Sequence, residues 1–97
     1  MRNYKKERLQ FGETFITSER GNSMEPLIKS GQWHKLAPVI KFEDCAVGDV
    51  VYCKVKGKFY THLVKAKNDE RGLLIGNNKG RINGWTKQVY GKVIEII

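Results

Sequence analysis

Short stretches rich in Val, Ile, Tyr and Phe alternate along the chain with Gly, Asn and Asp, the rhythm of strands joined by turns rather than of amphipathic helices. The pattern predicts strands over 14–17, 33–39, 49–55, 58–65, 73–75 and 89–96. Between the third and fourth, Lys56-Gly57 fits a tight hairpin turn, because glycine takes positive φ freely, and this sets His62 inside the hairpin's second strand. The one helical piece expected is a turn or two after Ser23, with Pro26 in a first turn and Gly31 at its end. Asn83-Gly84 reads as a turn. No repeat or linker composition interrupts this, so the expectation is a single mostly β domain over 13–97, preceded by a mobile arm over 1–12.

Composition supports a folded chain: 97 residues with 40% hydrophobic content are enough for one core. They are too few for a catalytic domain plus a separate DNA-binding or membrane module. The charged start, Met1-Arg2-Asn3-Tyr4-Lys5-Lys6-Glu7-Arg8, leads into no apolar run of signal-peptide length, and no stretch approaches a membrane span. A cytoplasmic, membrane-free protein is therefore expected, with Cys45 and Cys53 as reduced, packed thiols. Net charge is +8, but the lysines are scattered, so nucleic-acid binding is expected to be weak and lost as salt rises. His34, Cys45, Cys53 and His62 match no zinc-ligand spacing, and no metal or other cofactor is expected. Trp33 and Trp85 read as core or rim aromatics rather than as stacking platforms.

Gly21-Asn22-Ser23-Met24-Glu25-Pro26 carries the strongest chemical signal. A serine between a flexible glycine and a proline lies where backbone N–H groups are left unpaired and can face an anion, the requirement of an oxyanion hole. By local chemistry alone the same segment also reads as a turn with a capping serine.

The Ser-Met-x-Pro box after a glycine resembles the nucleophile box of the signal peptidases and the LexA-type self-cleaving repressors. Val47-Gly48-Asp49-Val50-Val51 resembles that clan's Gly-Asp-hydrophobic box, His62-Leu63-Val64 its base box in the histidine version, and Ile75-Gly76-Asn77-Asn78 its Gly-Asp-Asn-Asn box. Tyr90-Gly91-Lys92-Val93-Ile94 is similar to its closing Gly-x-Val strand. Together these cover residues 21–94, in the clan's order. The resemblance implies a coiled β fold and a serine endopeptidase acting on a peptide or protein substrate. Ser23 would be the nucleophile and His62 the base, with the backbone of Ser23 and Met24 holding the oxyanion and positioning substrate.

Serine needs a base within hydrogen-bond reach. Lys65 is the rival to His62, but three residues along a strand it faces the other way. In the histidine type an aspartate is expected to orient the imidazole; here the corresponding stretch offers Asn77 and Asn83 as candidates. Asparagine holds a tautomer without stabilising an imidazolium as a carboxylate does. Gly31-Gln32 likewise stands where a Gly-Asp is usual. Without an anchor, a helix-turn-helix domain or an Ala-Gly or Cys-Gly bond, neither preprotein processing, operator binding nor self-cleavage is expected to carry over. The expectation is a free-standing domain of the kind small phage or bacterial genomes carry. Two readings compete with the peptidase: a catalytically silent copy acting as a binding module, and a basic nucleic-acid-associated protein.

Overall fold

Among the described residues seven strands follow one short α-helix, with a single 3-10 turn, Phe42–Asp44, between the second and third strands. The computed structural model describes residues 3–97. Helix α1 spans Tyr4–Gln10, and the strands are β1 (Phe15–Thr17), β2 (His34–Pro38), β3 (Val50–Val55), β4 (Lys58–Asn68), β5 (Gly72–Gly76), β6 (Ile82–Thr86) and β7 (Val89–Ile96). All pair antiparallel into one curled sheet in the order β1-β2-β7-β3-β4-β5-β6. The protein is thus mostly β, as its apolar pattern implies. No helix among the described residues is long and apolar enough to cross a membrane.

Alternation along β3 explains how one sheet supports two cores. Val51, Cys53 and Val55 project into the larger cluster, which also holds Phe42, Val64, Leu73 and Ile75. Tyr52 projects the other way, onto Leu9, Phe15 and Leu36. The β3–β4 hairpin turns at Lys56 and Gly57, whose φ angles of 51° and 83° are those of a two-residue primed turn. In its register Val51 lies opposite His62 and Cys53 opposite Tyr60, so His62 and Tyr60 share the larger core's face. Thr61, opposite Tyr52, lies on the other face.

Three elements differ from the sequence reading. The arm expected over 1–12 contains α1, whose start is capped by Asn3 Oδ1 accepting from Lys6 N–H at 2.9 Å. Its Leu9 is buried against Gly91 and the smaller core. Tertiary packing holds this helix; seven residues are too few to hold it by propensity. After Ser23 the chain forms successive turns, with one helix-type bond from Ile28 N–H to Met24 O at 3.1 Å, and Met24 and Ile28 are buried. Asn83-Gly84 is no hairpin turn but the middle of β6. Gly84 there adopts a φ of 137°, close to the region that only glycine enters easily, as β6 passes Val55 of the hairpin.

Candidate active site

Ser23 lies in the β1–β2 connection, and that loop is tied to the loop between β5 and β6. Asn78 makes both ties: its backbone N–H donates to Ser23 O at 2.9 Å, and its Nδ2 donates to Glu25 O at 3.0 Å. Burial of Met24 and Ile28 seats the same loop from below. Gly76 lets the β5–β6 loop close, since a Cβ there would stand 2.6 Å from Arg81 O. Asn77 is used within that loop, its Oδ1 accepting from the N–H groups of Lys79 and Arg81. It makes no hydrogen bond to His62, so of the two candidate orienting asparagines only Asn83 bonds to the imidazole.

The central feature is a chain of three side chains. Ser23 Oγ lies 3.1 Å from His62 Nε2, and His62 Nδ1 lies 2.7 Å from Asn83 Oδ1. A carboxamide oxygen only accepts, so Nδ1 carries the ring proton and Nε2 presents its lone pair to the serine hydroxyl. That is the tautomer a general base requires. The His62 ring is buried and stacks on Tyr60 with centroids 4.9 Å apart, which fixes its plane. Lys65 makes no hydrogen bond to Ser23; its chain runs alongside Gly76.

The backbone N–H groups of Ser23 and Met24 donate to no protein acceptor among the described residues, whereas the next one, Glu25 N–H, is used by Asn22 O at 3.2 Å. Two adjacent free donors thus flank the hydroxyl. A cavity of about 190 Å³ opens beside them, walled by Met24, Ile28, Phe59, Tyr60 and Thr61 and bordered by Arg20 and Lys29.

Glu19, His34 and Thr61 form a polar cluster in that cavity which the sequence reading missed. Thr61 Oγ1 donates to Glu19 Oε1 at 2.6 Å, and Lys5 Nζ from α1 lies 3.2 Å from the same oxygen. His34 donates through Nδ1 to Gln32 O at 3.1 Å and turns Nε2 toward Glu19 Oε1 at 3.6 Å. Burial, the largest single influence, pushes the Glu19 carboxyl up, but His34, Thr61 and Lys5 together outweigh it and hold the pKa at about 2. Glu19 is therefore a fixed anion at neutral pH. No periodicity points to these residues; the only signal was an acid two residues before Gly21.

Cys45 and Cys53 do not line the cavity beside Ser23, and no group of three or more potential metal ligands occurs among the described residues. Both cysteines are free and buried. Trp33 is exposed and Trp85 lies half-buried beneath the Arg71 guanidinium. No protein-family model matches this chain, and no curated protein or solved structure matches it.

Proposed function

We propose that the protein is a serine endopeptidase using Ser23, His62 and Asn83, of the kind its motifs resemble in the signal peptidases and LexA-type repressors. The observation that carries this reading is the continuous hydrogen-bonded chain from Ser23 Oγ through His62 to Asn83 Oδ1. Serine, base and orienting group are what acyl transfer needs from side chains. The free N–H groups of Ser23 and Met24 add the remaining element, donors for the oxyanion.

In this mechanism Ser23 Oγ attacks the scissile carbonyl while its proton passes to His62 Nε2. The carbonyl oxygen takes the negative charge and is held by the two backbone donors. Collapse of the tetrahedral intermediate breaks the C–N bond, the imidazolium returns its proton to the departing amine, and an acyl-Ser23 ester remains. Water, deprotonated by Nε2, then hydrolyses the ester. Asn83 keeps the Nδ1 proton in place throughout but brings no charge to the imidazolium, so a slower reaction is expected than with a carboxylate there.

Ser23→Ala and His62→Ala test this directly. Each should abolish nearly all cleavage of unstructured peptides while the far-ultraviolet circular dichroism stays unchanged. The double variant should be little worse than either single one, because the two act as a unit. Lys65→Ala should cost little. Activity that survives Ser23→Ala, or that follows Lys65 instead, would overturn the assignment. Absence of cleavage by the parent protein under all conditions would favour a silent binding module, the reading that the neutral Asn83 supports.

A further inference from the structure

The groove across Ser23 and His62 is cationic on both flanks. On one side Arg20 and Lys29 border the cavity beside Ser23. On the other, Lys56, Lys58 and Arg81 line a second cavity of about 270 Å³ that reaches Asn83. Tyr60, stacked on His62, borders both, so the two hollows lie on either side of that ring, the second reaching the site through Asn83. None of these five cations has an ion-pair partner among the described residues, although Arg8, Lys35 and Lys92 elsewhere pair with Glu13, Glu95 and Asp49. The one acid in either cavity, Glu19, is already matched by Lys5.

Uncompensated charge of one sign along a concave, low-dielectric wall focuses the field and raises the local concentration of the opposite charge. At physiological salt the field is screened over about 8 Å, so these cations act on groups held in the groove itself. Resting on the peptidase reading, we infer that the groove selects an extended acidic polypeptide, with Asp or Glu within a few residues of the scissile bond on both sides. A nucleic acid offers the same sign of charge, but single-strand binding sites set open aromatic faces among their cations. Here the ring between the two flanks, Tyr60, already has a face occupied by His62.

The test uses three fluorescent probes: a peptide with Asp and Glu around its centre, the same peptide with Asn and Gln in their place, and a single-stranded oligonucleotide of equal charge. Anisotropy with the Ser23→Ala protein should give about tenfold tighter binding of the acidic peptide than of its amide counterpart. That ratio should shrink with added salt and in Lys58→Glu and Arg81→Glu, both at exposed positions that the fold does not need. Equal binding of the two peptides, or preference for the oligonucleotide, overturns the inference. Cleavage by the parent protein separates the two questions. If both peptides are cut at one rate, acid selectivity falls and the peptidase reading stands; if the acidic peptide binds selectively but neither is cut, the peptidase reading falls and the selectivity stands.

Discussion

Asn83 Oδ1 accepts the Nδ1 proton of His62 at 2.7 Å, on the side of the ring that faces away from Ser23. A neutral amide therefore occupies the position at which a charged orienting group would stabilise the imidazolium. Asn83→Leu should leave the ring free to adopt the wrong tautomer and lower kcat/KM by about a hundredfold or more. Asn83→Asp should raise it, because the carboxylate both holds the proton and offsets the positive charge formed on His62. Steady-state assays on one peptide across the three proteins decide the matter. An Asn83→Leu protein as active as the parent would remove Asn83 from the mechanism.

Glu19 makes a prediction in acid. Its carboxyl is held at about 2 in the folded protein against an ordinary 4.5, so the unfolded chain takes up the proton first as pH falls. The stabilisation is complete above about pH 4.5 and is lost as pH drops toward 2. Glu19→Gln should be less stable than the parent at neutral pH, and the two urea midpoints should converge over that window. Parallel midpoint curves would mean that the carboxylate contributes nothing through its charge.

The two thiols should be silent in the native state. Burial pushes Cys45 up, with Asp49 adding to the effect, and burial pushes Cys53 up to about 12, helped by Cys45. The thiolate is the reactive form, so neither should react with a disulfide reagent at neutral pH until the chain is unfolded in denaturant, when both should. Rapid labelling of the folded protein would contradict the packing described.

Leu9 packs on Gly91 so closely that a Cβ on Gly91 would meet its methyl groups at 2.8 and 3.0 Å. Leu9→Ala should cost about 2–4 kcal/mol through the lost contacts and the void left between α1 and the sheet. Gly91→Ala should displace Leu9 instead. Chemical denaturation reads both, and a protease nicking α1 in either variant would report that the helix has lifted.

Six of the seven strands, and the approach of Ser23 to His62, were legible because they depend on local signals. Gly57 permits the turn that places His62, and two-residue alternation keeps Lys65 off the site. The segment Ile82-Asn83-Gly84-Trp85-Thr86 was harder, since Asn-Gly is a turn signal when read locally, whereas here pairing with the exposed edge of β5 extends it. The place of Asn83 beside the imidazole thus follows from its chemistry, while its strand does not show in the local sequence. Helix α1 left even less trace: one apolar residue, Leu9, in a run of charges does not announce a docking face, and the face exists only once Gly91 opposes it. The Glu19 cluster gathers residues from α1, from the chain after β1, from β2 and from β4, a convergence that only tertiary structure creates.

Strand β7 lies between β2 and β3, pairing with each, so the part of the sheet that leads into and out of the serine loop and the part that bears the histidine are joined through residues 89–96. During synthesis the β3–β4 hairpin can form early, but β2 has no partner on its inner edge until β7 has left the ribosome. The backbone frame between the two parts of the sheet therefore closes with β7, while the Asn78 ties hold the serine loop to the β5–β6 side. A chain cut before Val89 would keep both side chains yet lose the strand that pairs the two parts of the sheet.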